Sequence, residues 1–349
     1  MRLPDKLKAF KPYPAMSGAP PVRLDGNESC FALPPAILDE ISEELRKIDL
    51  HRYPDPRASE VCNLADEFWN APTDSAVAGN GSDELISLTL SAFLSHGSKL
   101  VVADPDFSMY RFYATLCEVE CLGIDRLSGL PRVDEIIDKG RLADAVIFSN
   151  PCNPTGQALS RADVLRIVES LDCPVLLDEA YADLWDGGRG SALEFVDVHN
   201  HLIVFKTCSK NLALAGIRLG FAFAGPKLRN VLLSVKSPYN VNSMTQAVGA
   251  IALSHPDLLR ENTQSLVAAK DRLYARLSEW SRGQKTILVT DTVANFILLT
   301  MPGAEQVYEH LITQGISVRL IADSLRITAG TDQEQDLLLE ALSTVSPTN

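Results

Sequence analysis

Short apolar runs that alternate with helical segments constrain the fold of this chain most strongly. The runs lie at residues 100–103, 145–148, 175–177 and 202–205, and a helical pattern covers residues 160–170. Apolar runs separated by helices are typical of strands in a parallel sheet that is covered on both faces. In such sheets ligands bind beyond the carboxyl ends of the strands. The fold class is therefore α/β, and we expect a ligand site where the runs end.

Polar residues follow several of these runs directly. They are Asn153 after the second run, Asp178 and Tyr181 after the third, and Ser209 and Lys210 after the fourth. Because the carboxyl ends of parallel strands lie at one edge of a sheet, we expect these side chains to lie near one another.

The segment Thr207-Cys-Ser-Lys210, followed by Arg218, indicates carbonyl chemistry. A lysine amine attacks a carbonyl only when it is deprotonated, and burial or a nearby positive charge lowers its pKa. The hydroxyls of Thr207 and Ser209 suit an anion beside Arg218. An aldehyde cofactor that carries a phosphate, pyridoxal phosphate, matches both features. On this segment alone, a surface lysine at a strand end with an arginine in an ion pair is an equal alternative.

Two other segments allow either a ligand or an ordinary structural role. Gly79-Asn-Gly-Ser-Asp83 precedes a helical pattern, and a helix start favours anions, although a plain capped helix is the simpler explanation of this loop alone. Asp178 follows an apolar pair, so burial should raise its pKa unless a cation such as a protonated pyridine nitrogen lies beside it. An aspartate that caps a turn is the alternative there.

The length of 349 residues exceeds that of most single-core domains, so we predict a large and a smaller domain. The expected division is a proline-rich N-terminal arm at 1–30 that packs with the small domain, a large domain at 31–255 and a small domain at 256–349. The net charge of −13 argues against nucleic acid and anionic membranes as partners.

Seven cysteines, an odd number without metal-like spacing, indicate reduced thiols and predict no metal site. The first residues lack the apolar core of a signal peptide, and no later apolar run is long enough to span a bilayer. We therefore predict a cytoplasmic protein.

Three motifs in their order resemble a known family: Ser149-Asn-Pro-Cys-Asn-Pro-Thr-Gly156, Asp178-Glu-Ala-Tyr181, and Ser209-Lys210 with Arg218. The chain resembles fold type I pyridoxal phosphate enzymes, specifically class I/II aminotransferases of the histidinol-phosphate aminotransferase branch. The resemblance runs from Lys11 to Gly330. It implies a large domain with a mostly parallel central sheet flanked by helices, and a smaller α/β domain.

The resemblance also implies roles for individual residues. Lys210 resembles the lysine that forms a Schiff base with the cofactor and moves a proton during the reaction. Asp178 resembles the partner of the pyridine nitrogen, while Asn153 and Tyr181 match the pair that binds the ring hydroxyl. Tyr110 resembles the aromatic residue that stacks on the ring. The residues that match the cofactor phosphate cup are Gly81, Ser82, Asp83, Thr207, Ser209 and Arg218.

Residues near both ends of the chain match the substrate positions of the branch. Arg326 matches an arginine that binds a carboxylate, and a bidentate fork suits that contact. Tyr13, Arg319 and Tyr53 match positions that bind the phosphate of histidinol phosphate, and an exposed strand end is the alternative for Arg319. Tyr53 also resembles a residue that a neighbouring subunit supplies, which implies a homodimer with shared active sites.

Asn27 belongs to the same expected substrate site, but its surroundings depart from the branch. The chain has Asn27-Glu-Ser-Cys30 where the branch usually has Asn-Glu-Asn-Pro. The stretch between Arg319 and Arg326 also looks short for the branch. Both departures bear on the substrate and leave the cofactor motifs intact.

The resemblance implies transamination between histidinol phosphate and 2-oxoglutarate, an amino donor and a 2-oxo acid acceptor. Threonine-phosphate decarboxylase and an aromatic or other amino-acid aminotransferase remain alternatives, because no motif states which substrate bond is broken. A transcription regulator with an aminotransferase-like domain would need a basic DNA-binding region or a lost lysine, and the sequence has neither.

Overall fold

The computed structural model describes residues 4–10, 20–126 and 130–344. Its strands are β1 (Val22–Arg23), β2 (Ala76–Asn80), β3 (Lys99–Asp104), β4 (Glu120–Asp125), β5 (Ala145–Ser149), β6 (Val175–Asp178), β7 (Leu202–Thr207), β8 (Leu219–Ala224), β9 (Leu288–Val289), β10 (Phe296–Thr300), β11 (Ile316–Ser317), β12 (Arg319–Ile321) and β13 (Ser324–Thr328). Its α-helices are α1 (Pro35–Leu45), α2 (Ser59–Phe68), α3 (Gly81–Phe93), α4 (Met109–Leu116), α5 (Val133–Gly140), α6 (Arg161–Glu169), α7 (Pro226–Val235), α8 (Ser243–Leu253), α9 (Pro256–Trp280), α10 (Ala304–Thr313) and α11 (Asp332–Ser343).

The large part of the molecule is built on a seven-stranded sheet with the order β2-β8-β7-β6-β5-β3-β4. Strands β4, β3, β5, β6 and β7 run parallel, and β8 is antiparallel to both of its neighbours. Every residue of β5, β6 and β7 is buried, because helices cover both faces of the sheet. The predicted α/β fold with a mostly parallel central sheet is confirmed.

The C-terminal part contains a four-stranded antiparallel sheet with the order β12-β13-β10-β9. Helix α9 begins at Pro256, whose fixed φ suits a first helical turn. Its residues Leu266, Leu273 and Leu277 recur on one helical face, and they pack with Phe296 in the core of this part.

The N-terminal segment contacts both parts. Strand β1 pairs in parallel with β11, and Leu24 joins the core of the C-terminal part. Farther toward the N-terminus, Lys6 Nζ donates to the Leu116 carbonyl at 3.0 Å, and the Phe10 ring lies 4.9 Å from that of Phe112 on α4. The domain limits at residues 30 and 255 stay a prediction. None of the helices in the described ranges combines the length and apolar character needed to cross a membrane.

Candidate active site

A cavity of about 450 Å³ opens where β5, β6 and β7 end. The large part contributes side chains from these strand ends and from the start of α3. The C-terminal part contributes Arg319 and Arg326, and the N-terminal segment contributes Asp25, Gly26 and Asn27. The cavity therefore lies between the two sheets, at the edge that the ends of the apolar runs predict.

One end of the cavity is a ring of hydrogen-bond donors. Thr207 Oγ1 donates to Ser209 Oγ at 3.0 Å, and Arg218 Nη1 donates to the same oxygen at 3.3 Å. Helix α3 starts here with Ser82 on the cavity wall, and the first N–H groups of a helix lack partners within the helix. Gly81 has φ 78°, a conformation that favours glycine, and a Cβ added there would lie 2.7 Å from Arg218 Nη2. These hydroxyl, guanidinium and backbone donors suit a phosphate.

Lys210 follows Ser209 and directs its amine into the same cavity. Its Nζ donates to the Gly26 carbonyl at 3.0 Å. Burial, reinforced by the positive charges of Arg326 and Arg218, lowers the pKa of Lys210 to about 8, while Glu28 acts in the opposite direction. At pH 7 about a tenth of this amine is therefore uncharged, far more than for an ordinary lysine, and nucleophilic attack requires the uncharged form.

Asp178 ends β6 and is buried at the cavity floor. Tyr110 Oη donates to its Oδ2 at 2.6 Å, and the Ala180 N–H donates to its Oδ1 at 3.0 Å. Burial nevertheless dominates and raises the pKa of Asp178 to about 6. A cationic ligand group beside this carboxylate would favour its ionised form.

The position of Tyr110 corrects the expectation that it stacks on a ring in the cavity. Tyr110 is fully buried in α4, where its hydroxyl is directed at Asp178. Phe107 lies on the cavity wall instead, and its ring meets that of Tyr110 edge-on at 5.5 Å. Both residues belong to Asp104-Pro-Asp-Phe-Ser-Met-Tyr110. Phe107 lies in the loop before α4, whereas Tyr110 lies within the helix. The position relative to the helix start is the sequence feature that distinguishes the two aromatic residues.

Two hydrogen-bonded pairs join the large part to the C-terminal part and to the N-terminal segment. Arg326 donates through Nη1 to Asn153 Oδ1 at 2.7 Å and through Nη2 to the Asp25 carbonyl at 2.6 Å. Asn27 Nδ2 donates to Tyr181 Oη at 2.9 Å, and Asn27 Oδ1 accepts from Thr328. Four of the predicted site residues are thus linked directly.

The remaining predicted substrate residues lie in three different places. Arg319 lines the cavity and lies opposite Arg326 in the register of β12 and β13. Tyr53 is 81% exposed in a separate surface groove, where it stacks on Tyr239 with ring centroids 4.6 Å apart. Tyr13 lies outside the described residues.

The family model for aminotransferase class I and II matches residues 19–342 of this chain. The chain therefore belongs to the class I and II aminotransferases, and it is a pyridoxal phosphate-dependent aminotransferase. The cavity fits this cofactor, because a donor ring suited to phosphate, a lysine amine and a buried carboxylate lie around one space.

Individual relatives and solved structures are similar to this chain over nearly its whole length. The chain is 32% identical over 348 residues to the histidinol-phosphate aminotransferase of Clostridium kluyveri, covering 97% of each chain. It is 33% identical over 346 residues to that of Thermococcus gammatolerans, covering 97% of this chain and 96% of the relative. In fold it is similar to histidinol-phosphate aminotransferase from Sinorhizobium meliloti in complex with pyridoxal-5'-phosphate, with a TM-score of 0.87, 20% identity and coverage of 98% and 96%. The resemblance to fold type I enzymes is confirmed.

Proposed function

We propose that this enzyme transfers an amino group between histidinol phosphate and 2-oxoglutarate. The observation that carries the proposal is the pair Arg319 and Arg326, which line the cavity on adjacent strands of the small sheet. The substrates bear phosphate or carboxylate groups, which arginine binds well. The names of the full-length relatives support the same substrate.

The cofactor would be held by residues of the large part. The phosphate would lie in the donor ring, to which Gly81, Ser82 and Asp83 would contribute backbone N–H groups and Thr207, Ser209 and Arg218 their side chains. Asp178 would accept from the ring nitrogen, and Asn153 and Tyr181 would bind the ring hydroxyl. We assign Phe107 to the ring face in place of Tyr110, because Phe107 lies on the cavity wall.

Lys210 would act at two points of the reaction. Pyridoxal phosphate supplies, when bound, an electron sink for negative charge that develops on the substrate carbon. The Lys210 amine would bind the cofactor aldehyde and, once displaced by substrate, would carry a proton at Nζ. Its pKa of about 8 suits both gain and loss of that proton near neutral pH.

Arg326 would bind whichever anion a substrate places opposite the cofactor. Glutamate has two carboxylates, whereas histidinol phosphate lacks the α-carboxylate, so one guanidinium must serve either substrate. Arg319, with Tyr13 and a neighbouring subunit's copy of Tyr53, would bind the phosphate. In this assignment Asn27 acts through its hydrogen bond to Tyr181.

A single half-reaction tests the proposal. The purified enzyme loaded with pyridoxal phosphate is mixed separately with histidinol phosphate, phenylalanine or threonine phosphate, without an acceptor. We expect rapid loss of the cofactor's visible band with histidinol phosphate alone. Conversion only with phenylalanine would make the enzyme an aromatic aminotransferase, and carbon dioxide release from threonine phosphate would make it a decarboxylase.

We also infer a cytoplasmic homodimer with shared active sites. Tyr53, Tyr239 and the exposed Met244 line a surface groove whose aromatic and apolar character is typical of a subunit interface. All seven cysteines are free, which agrees with a reducing compartment. Light scattering should give the mass of a dimer.

Complementation between two inactive variants tests the shared site. Tyr53→Ala and Lys210→Ala are each expected to be severely impaired. If Tyr53 serves the partner's cavity, mixed dimers contain one intact site, and random reassortment of equal amounts should restore roughly one quarter of wild-type activity. No recovery after verified subunit exchange would place Tyr53 with its own cavity or outside the site.

A further inference from the structure

A buried ion pair lies beside the cavity wall, in a role that the sequence motifs did not suggest. Asp106, in the loop between β3 and α4, lies with Oδ2 3.1 Å from Arg126 Nη1, and both side chains are 1% exposed. Arg126 directly follows β4. Buried ion pairs often add little net stability, because desolvation offsets their attraction. The role of this pair is therefore better judged from the hydrogen bonds that it makes to neighbouring residues than from its contribution to stability.

The hydrogen-bonded pairing of β3 with β5 ends before the cavity, and beyond that point the ion pair connects the two chain segments. Strands β3 and β5 pair as far as Val102 and Ile147, two residues before Ser149. From there the ion pair binds every polar group of Ser149. Its N–H donates to Asp106 Oδ2 at 3.1 Å, its hydroxyl donates to Asp106 Oδ1, and its carbonyl accepts from Arg126 Nη2 at 3.1 Å.

Two cavity residues depend on this arrangement. Ser149 Oγ accepts from the Asn153 N–H at 3.2 Å, and Asn153 in turn holds Arg326. On the other side, the Phe107 N–H donates to Asp106 Oδ1 at 2.8 Å. One carboxylate thus positions Phe107 directly and Asn153 through Ser149, in the loops that follow β3 and β5.

We propose that the Asp106–Arg126 pair is a positioning unit of the cofactor site, which sets where Phe107 and Asn153 meet the ring. The inference rests on the cofactor assignment made above. Without the pair, the chain after Ser149 and the loop before α4 lose their common anchor. Sites of this kind tolerate displacements of only about 0.5 Å before binding suffers.

The test combines three variants with measurements that do not depend on turnover. Asp106→Asn, Arg126→Met and the double variant are compared in the full-length enzyme. Equilibrium dialysis gives the affinity for pyridoxal phosphate, visible circular dichroism reports how rigidly the ring is held, and urea unfolding gives stability. We expect Asp106→Asn to weaken cofactor affinity about tenfold, as losses of supporting partners do at other sites, and to reduce the circular dichroism band.

The double variant separates positioning from stability. Each single variant leaves one charge buried without its partner, so either can fail to fold, whereas the double variant removes both charges and should regain stability. We expect it to keep the weakened cofactor affinity and the reduced circular dichroism. If the double variant regained wild-type cofactor affinity and the circular dichroism band together with its stability, the proposal would be overturned. Wild-type enzyme that fails to bind pyridoxal phosphate would instead overturn the cofactor assignment.

Asp66→Asn is the matched control. Asp66 is another buried carboxylate that anchors a loop, since it accepts from the N–H groups of Asp74, Ser75 and Ala76 away from the cavity. This variant should lose stability and keep wild-type cofactor affinity. An equal loss of affinity in Asp66→Asn would mean that general destabilisation explains the result, and the proposal would fall.

Discussion

The cavity has a cofactor wall, formed by residues of the large part, and a substrate wall, formed by the C-terminal part and the N-terminal segment. The side chains of these two walls are held in place by different kinds of contact. On the cofactor wall, Thr207, Ser209 and Arg218 bond to one another within a short stretch of chain. On the substrate wall, Arg326 is held by Asn153, 173 residues away, and by Asp25, 301 residues away. These three residues of the first wall are thus positioned by local loop geometry. The second exists only when both parts and the N-terminal segment are docked together.

Replacing Lys210 by alanine should have the largest effect and should leave the cofactor wall otherwise intact. Turnover should fall by at least about a thousandfold, because no other group takes over nucleophilic attack and proton transfer. The visible band of the lysine-bound cofactor should disappear, whereas phosphate contacts should retain some cofactor. Absorbance and activity measure both outcomes. Lys227→Ala, an exposed lysine at the start of α7, is the control, and full activity in Lys210→Ala would contradict the proposed mechanism.

Replacing Asp178 by asparagine tests the buried charge of the cofactor wall. The folded pKa of about 6 lies above the usual value, so the unfolded chain loses this proton first as pH rises. The stabilising contribution of Asp178 is therefore present below about pH 4 and lost between about pH 4 and 6. Relative to wild type, cofactor-free Asp178→Asn should gain about 2 kcal/mol in unfolding free energy across that interval.

Urea unfolding of both cofactor-free proteins at pH 4 and pH 7 measures this difference. Bound pyridoxal phosphate should shrink it, because the cationic ring nitrogen stabilises the ionised carboxylate. A pH-independent difference between the two proteins would mean that Asp178 titrates at its ordinary pKa.

Replacing Arg326 by lysine tests the substrate wall. Lysine keeps the charge but lacks the planar fork that reaches Asn153 and Asp25 together. We expect KM to rise about tenfold for both glutamate and histidinol phosphate, with a smaller change in kcat. Arg319→Lys should raise KM for the phosphate substrate alone. Equal effects of the two variants on both substrates would contradict the proposal that Arg326 binds both substrates and Arg319 binds only the phosphate substrate.

The sequence predicted the strands whose residues are apolar and missed those that are not. Runs ending at polar residues located β3, β5, β6 and β7, and with them the edge that carries the site. Strand β2 consists largely of small residues, and β4 is an edge strand with acidic ends and mostly half-buried positions. Neither contains an apolar run, so periodicity had no signal to detect.

Side-chain direction was the other limit of sequence reasoning. Phe107 and Tyr110 are both aromatic and lie close together after β3, and the structure buries Tyr110 against Asp178 and leaves Phe107 on the cavity wall. Arg126 pairs with Asp106 across 20 residues, and no spacing rule separates such a buried arginine from an exposed one. Motifs located the site, whereas packing decided how its side chains point.

Replacing Glu28 by glutamine should have the smallest effect, and it connects the two walls. Glu28 lies in the N-terminal segment, and its negative charge raises the pKa of Lys210 against the effect of burial. Removing that charge should move the pKa below about 8, by less than about one unit because solvent screens a partly exposed carboxylate. The amine would then be uncharged at lower pH.

The pH dependence of the rate at which Lys210 captures pyridoxal phosphate measures this shift, with Glu44→Gln on α1 as the control. A shift toward higher pH, or an equal shift in the control, would mean that the N-terminal segment does not tune the lysine electrostatically.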